Sequence, residues 1–305
     1  MSRDSFREDS RQHEPSLDRS GENGTGAGSH HWPEREAEST PSLTGPSREH
    51  LKAEDRDRPL QHTLGRRTFQ LRESEMRAMA DVGTFRVVRV SDLARHLYSG
   101  DTPRVERDLY CLERQGLVVR RTLPTSKRKA IRVVGLTKTG KRLLRSTNRL
   151  PENQAIFHGI VKPREAQHDA ALYRLFHAEM NRIESAGGRP LRVVLDYELK
   201  RNLYRDRERL GDRKNDPEEL RRLAETHGLK VVNGKIPLPD LRIEYQTTEL
   251  EQRRIDLELA THHYRPRGIA EKTKAGFSLY TPREDAPRLR RILDGQELTA
   301  RIFAL

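Results

Sequence analysis

Asp240, Asp256 and Glu258 lie in two short segments, 239–245 and 253–259, that could bring carboxylates together. Both segments alternate apolar and polar residues, with the apolar ones at odd positions, and this pattern predicts a hairpin. Antiparallel partners have numbers with a constant sum, and the two apolar faces match only when that sum is even. Asp240 then shares a face with Asp256 and Glu258, and a tight turn near Thr248 places it opposite one of them.

Three neighbouring carboxylates repel one another unless a cation lies between them, and hard oxygen ligands suit Mg²⁺ or Mn²⁺. Such an ion activates water and stabilises a phosphoryl transition state, and Lys272 or Lys274 from the next helix could add positive charge there. The alternative is an amphipathic hairpin whose polar face carries charges that neutralise one another. Periodicity leaves both interpretations open.

The segment 91–146 predicts two short helices, a two-stranded hairpin and a closing helix, which is the order of a winged helix-turn-helix. Ser91 is expected to cap the first of these helices, and Thr102 the second, with Pro103 in its first turn. The second helix buries one apolar stripe. Its opposite face carries cations, which are Arg104, Arg107 and Arg114.

The tip of the predicted hairpin carries Lys127, Arg128 and Lys129. Cations at a hairpin tip pack against no hydrophobic core, so they are suited to contact phosphates. From Arg66 to Ser146 there are 20 Lys or Arg and 8 Asp or Glu, a net charge of +12 compared with +13 for all 305 residues. This concentration of positive charge predicts binding to double-stranded DNA. Solvated charges on a protein-contact module are the alternative.

The composition argues against disulfide-bonded, cysteine-zinc and membrane-spanning classes of protein. Cys111 is the one cysteine, which excludes an intramolecular disulfide and a cysteine-based zinc site and fits a reducing compartment. No apolar run approaches the roughly 18 residues that span a bilayer, so we expect a cytoplasmic protein with no membrane segment. Residues 1–66 are rich in Ser, Gly, Glu, Arg and Pro and predict a disordered arm.

A sequence with part of the phosphate-loop pattern, GLTKTGK, occupies 135–141. Arg142 stands where a hydroxyl would hold Mg²⁺, and the preceding strand belongs to a hairpin. We therefore interpret this stretch as the junction between the hairpin and the closing helix.

The chain divides into four predicted parts: an arm at 1–66, a winged helix-turn-helix domain at 67–147, a linker at 148–163 and a second domain at 164–305. The second domain is predicted to contain a helix at 164–185, a strand at 191–195, a charged helical insert at 200–230, the hairpin and one or two last helices, the first at about 268–280. The expected fold class is α+β.

Pro239-Asp240, the acidic strand around Glu258 and a downstream lysine resemble the PD-(D/E)xK nuclease superfamily. The superfamily's lysine lies two positions after its second acidic residue, where this chain has Ala260. The resemblance implies a restriction-endonuclease-like α/β domain in which the lysine comes from the following helix.

The combination of both parts resembles the replication-relaxation family of bacterial mobile elements over about 70–285. The matching features are Pro239-Asp240, the strand 255–261, a lysine at 272 or 274, and Tyr280, with Glu198 as a further acidic match. The resemblance implies DNA binding in the replication or transfer of a plasmid or integrated element.

We therefore predict a sequence-selective DNA-binding protein of a mobile element, with a nuclease-like domain whose activity the sequence leaves open. The protein would need Mg²⁺ or Mn²⁺ only if the nuclease-like domain is active. We also expect a possible homodimer that binds paired half-sites on the DNA. Two alternatives stay open: a winged-helix transcriptional regulator with a non-catalytic second domain, and an active metal-dependent DNA endonuclease.

Overall fold

The computed structural model describes residues 58–124, 130–160, 163–261 and 264–304, which form a mixed α+β fold. The first half contains a small hairpin, four helices and a three-stranded sheet with the order β3-β5-β4. Its elements are β1 (Leu60–Leu64), β2 (Arg67–Leu71), α1 (Glu73–Phe85), β3 (Val88–Arg89), α2 (Val90–Leu97), α3 (Thr102–Arg114), β4 (Val118–Pro124), β5 (Ala130–Leu136) and α4 (Lys138–Ser146).

The second half contains a five-stranded sheet with the order β10-β9-β8-β7-β6. Strand β7 pairs antiparallel with both β6 and β8, whereas β9 pairs parallel with both β8 and β10. Its elements are α5 (Pro163–Ser185), β6 (Arg189–Leu195), α6 (Asp196–Glu208), α7 (Pro217–Thr226), β7 (Leu241–Gln246), β8 (Gln252–Leu259), α8 (Pro266–Ala275), β9 (Ser278–Thr281), α9 (Ala286–Asp294) and β10 (Ile302–Ala304).

Two helix starts differ from the sequence prediction. Helix α2 begins at Val90, so Ser91 lies inside the helix and does not cap it. Helix α3 is capped by Asp101, whose carboxylate accepts the backbone N–H of Arg104 at 3.0 Å. Thr102 is therefore the first helical residue, because the carboxylate one position earlier already satisfies a free N–H of the first turn.

The predicted arm was too long at its end, since residues 60–64 pair with β2 as strand β1. The two-residue turn between the strands contains Gly65, whose φ of 61° suits the first central position of a type II′ hairpin turn. Phe69 and Leu71 on β2 are buried in the main core, which holds the hairpin in place.

The stretch 135–141 is the predicted junction between hairpin and closing helix. Strand β5 lies between β3 and β4 and is antiparallel to both, unlike the strand before a phosphate loop. The Thr137 hydroxyl caps α4 by accepting the N–H of Gly140 at 3.0 Å. Gly140 is close to the backbone just before β4, because a Cβ there would lie 2.1 Å from the carbonyl oxygen of Leu117.

The register of β7 and β8 has the even sum that the sequence predicted, with Leu241 opposite Leu257 and Ile243 opposite Ile255. The insert is also helical, although α6 begins at Asp196 directly after β6. The helix expected at 268–280 ends at Ala275, because Gly276 takes a left-handed φ of 91° and β9 follows.

Segment 148–160 lacks regular structure, but it is packed between the two halves. The Gln154 side chain is 2% exposed and exchanges two hydrogen bonds with the backbone of Val193, at 2.9 and 3.0 Å. One hydrophobic cluster continues from α1 through α5 into the large sheet. Among the described residues, no helix is both long and apolar enough to cross a membrane.

Candidate functional site

Helix α3 presents three faces with different chemistry. The inner face buries Val105, Leu109 and Leu112 completely. Asp108, also fully buried, accepts hydrogen bonds from the hydroxyls of Ser74 (2.5 Å) and Tyr98 (3.1 Å), which ties α3 to α1 and α2. These contacts fix the direction in which the other two faces point.

A second face of α3 is held against the β4–β5 hairpin by ion pairs. The guanidinium of Arg120 contacts the carboxylates of Glu106 (3.2 Å) and Glu113 (2.6 Å), and Arg132 contacts Glu106 at 2.6 Å. Charges on this face are therefore compensated within the protein. They orient the hairpin relative to the helix and contribute little net charge.

The third face points outward and carries Arg107, Tyr110 and Arg114, spaced three and four residues apart along one line of the helix. The side chain of Arg107 is 46% exposed and Tyr110 is 52% exposed. Arg114 is exposed and donates to the Tyr110 hydroxyl at 3.3 Å. Arg104, the remaining predicted contact, is only partly exposed.

The cations predicted at the hairpin tip, Lys127, Arg128 and Lys129, lie outside the described residues. Strands β4 and β5 lead to that tip and stay paired up to Pro124 and Ala130.

A second group of side chains lies where the large sheet meets α5 and α8. Asp240, one residue before β7, accepts the backbone N–H of Leu259 at 2.8 Å through one oxygen. Its other oxygen lies 3.3 Å from Nε2 of His168 on α5. Burial lowers the pKa of His168, but the hydrogen bond and charge of Asp240, with two further aspartates nearby, outweigh it and raise the pKa to about 9. This histidine is therefore cationic at neutral pH.

Glu258 on β8 is fully buried beside Asp240. Burial and the charge of Asp240 raise its pKa, whereas Lys272 opposes that shift. The ammonium of Lys272 on α8 donates to Glu258 at 2.9 Å and to the carbonyl oxygen of Leu238 at 2.5 Å. The hydroxyl of Tyr264 donates to the other carboxylate oxygen of Glu258. The structure thus selects Lys272, and Lys274 is exposed two residues later.

Asp256 does not join this group, in contrast to the predicted cluster of three carboxylates. It is opposite Arg242, which holds both of its oxygens at 2.6 and 2.9 Å. Arg242 is 4% exposed and also donates to the carbonyl oxygens of His227 and Gly228. Asp256 therefore balances a buried guanidinium, as in the amphipathic-hairpin interpretation.

The two residues matched only by family resemblance also have internal partners. Glu198 pairs with Arg192, and the hydroxyl of Tyr280 donates to Glu179. No pattern in the sequence indicated His168, which lies 72 positions before Asp240. Tyr264 was equally missed, because it follows β8 in an irregular segment.

The arrangement does not fit a bound divalent ion. All four carboxylate oxygens of Asp240 and Glu258 contact internal donors, and two of those donors are the cations His168 and Lys272. Each of these two carboxylates is thus paired with one internal cation. In the described part of the chain, no three His, Cys, Asp or Glu residues are grouped as metal ligands.

Searches of family models, curated proteins and solved structures found no match to this chain.

Proposed function

We propose that this protein binds double-stranded DNA through the outward face of α3, with the β4–β5 hairpin beside it. The division of α3 into three faces carries the proposal. Arg120 and Arg132 of the hairpin pair with glutamates on one face of α3. Arg107, whose guanidinium contacts the buried Asp108 at 3.2 Å, and Arg114 lie on the outward face around the exposed Tyr110. Guanidinium groups along one face of a helix suit phosphates and the guanine edge in the major groove.

The order of elements supports a winged helix-turn-helix for the first half. Helices α1, α2 and α3 precede the β4–β5 hairpin, and α2 and α3 are joined by a short turn in which Ser99 and Gly100 take positive φ. In such a domain the second helix of the pair enters the major groove and the hairpin contacts the backbone.

A nuclease-like second half is supported by its connectivity: helix α5, three antiparallel strands, then helix α8 and a parallel strand. Asp240, Glu258 and Lys272 converge at the end of that sheet. Together with the family resemblance, this favours a role in the replication or transfer of a mobile element. The DNA-binding half would select the site.

DNA binding can be tested with fluorescence anisotropy on a random-sequence duplex over a series of salt concentrations. We expect the double variant R107A/R114A to bind at least about 10-fold more weakly and to lower the slope of log K against log salt by about 2. The control R221A/R222A removes two equally charged side chains that are 64% and 65% exposed on α7. Wild-type binding by R107A/R114A would overturn the proposal.

A second candidate function is cleavage of DNA, favoured by the convergence of Asp240, Glu258 and Lys272. A divalent ion could reach the carboxylates only by displacing Lys272 or His168. Plasmid nicking in Mg²⁺ or Mn²⁺ tests this candidate: E258Q should then lose activity, whereas D256N, whose carboxylate binds Arg242, should keep it. No nicking by the wild-type protein leaves DNA binding as the function.

A further inference from the structure

The β1–β2 hairpin carries a positive charge that the DNA-binding surface described above does not include. Its turn consists of Gly65 and Arg66, followed at once by Arg67, and both arginines are exposed. The turn is tight, since Leu64 pairs directly with Arg67. Two consecutive exposed arginines therefore lie at the tip of a short, regular hairpin.

This hairpin is attached to the carboxyl end of α3. The side-chain amide of Gln115, the residue that ends α3, accepts the N–H of Gln70 at 3.1 Å and donates to the carbonyl of Gln70 at 3.0 Å. It thereby pairs with the outer edge of β2 as another strand would. Arg67 also donates to the carbonyl oxygen of Gln115 at 3.3 Å.

The core fixes the other side of the hairpin. Phe69 and Leu71 are 2% and 1% exposed, and the guanidinium of Arg67 lies 5.0 Å from the ring centre of Phe69. The position of the turn relative to α3 is therefore set before any ligand binds. A preorganised group loses little conformational entropy on binding, so each contact keeps more of its energy.

The charge at this end of α3 is not compensated by the protein. Within the described ranges, Arg66, Arg67 and Arg114 form no ion pair with a carboxylate, whereas Arg120 and Arg132, which contact the neighbouring face of α3, do. Arg67 makes its contacts with a carbonyl and a ring, and neither neutralises it. A polyanion is the partner that such a surface fits.

We propose that the β1–β2 turn is a second phosphate-contacting element, which binds the DNA backbone beside the groove that α3 enters. The inference rests on the proposed DNA binding by α3 and extends that surface beyond its carboxyl end. Arg66 and Arg67 contact phosphates and read no bases, because a turn outside the groove meets only the backbone. Their role is to set the position of the helix along the duplex.

The test is binding of R66A/R67A to the same random-sequence duplex over a series of salt concentrations. Each lost phosphate contact lowers the salt slope by about 0.9, so we expect a decrease of about 2 and about a 10-fold weaker affinity near physiological salt. R221A/R222A, with the same loss of net charge, should bind as the wild type does. R66A alone should lose about half the slope change and leaves the contacts of Arg67 intact.

The outcomes separate the inference from the function on which it rests. If R107A/R114A weakens binding and R66A and R66A/R67A do not, the hairpin makes no phosphate contact and the inference fails alone. If R107A/R114A binds as the wild type does, the proposed function fails. Equal weakening by R221A/R222A would assign the effect to net charge and overturn the inference as well.

Discussion

Replacing Lys272 with methionine tests whether internal cations fill the carboxylate site. Methionine keeps most of the apolar stem and removes the ammonium group that lies 2.9 Å from fully buried Glu258. The lost partner raises the pKa of Glu258 further above its usual range, beyond the effect of burial and of Asp240. Folded K272M then holds a proton that the unfolded chain releases, so its stability falls as pH rises.

The magnitude follows from the cost of a buried, unpaired carboxylate, which is about 3–5 kcal/mol when the group must stay charged. Protonation of Glu258 in the folded state limits that cost to about 1.4 kcal/mol for each pH unit above the pKa that the same residue has in the unfolded chain. We therefore expect K272M to lose about 1 kcal/mol at about pH 6 and about 3 kcal/mol at about pH 8.5. Urea unfolding followed by circular dichroism measures both values. K274M, an exposed lysine on the same helix, is the control.

Magnesium provides the decisive comparison. The wild-type site is balanced by Lys272 and His168, so about 10 mM Mg²⁺ should leave its stability unchanged. In K272M, Glu258 has lost its cationic partner, so at about pH 8.5 an ion that displaced its proton and bound with a Kd of about 1 mM would add about 1.4 kcal/mol at that concentration. If Mg²⁺ stabilises the wild-type protein as much as K272M, the reasoning that internal cations exclude a divalent ion is refuted.

Two further predictions concern the scaffold. G140A should lose about 2–4 kcal/mol in urea unfolding, because the new methyl group would lie 2.1 Å from the carbonyl oxygen of Leu117; an unchanged midpoint would contradict the close approach. D81N should stabilise the protein at neutral pH, because burial raises the pKa of Asp81 to about 6 despite its hydrogen bond with Tyr173. The folded state then holds a proton that the unfolded state releases above pH 3.8, so the wild type loses stability as pH rises from there to about 6. D81N should abolish that slope and gain roughly 1–2 kcal/mol at about pH 8, measured by thermal unfolding at both ends of the range. An equal gain at about pH 3.5 would contradict the titration argument.

Local patterns were sufficient to predict most of the elements and one register. Periodicity located the buried stripe of α3 and the strands β4 to β8, since burial of one face imposes a repeat that the chain itself displays. The even register of β7 and β8 followed because a shift of one residue would expose every apolar side chain of a strand. Each of these inferences depends on neighbours within a few positions.

Features that depend on distant residues could not be read in this way. Asp240 and Glu258 are on one face as predicted. Only the folded chain shows that Asp256 forms an ion pair with Arg242. It also shows that Lys272 contacts Glu258, whereas Lys274 does not. The reason is that an alternating pattern fixes which face a side chain occupies and does not fix its partner.

The sequence by itself determined most of the secondary structure, the charge on the first half and the face of the strands β7 and β8, because these follow from composition and short-range periodicity. Tertiary structure decided which arginines are compensated, how His168 meets Asp240 across 72 positions, and that residues 60–71 form a hairpin against α3. Ion pairing and burial depend on distances between segments far apart in the chain, and packing alone sets those distances.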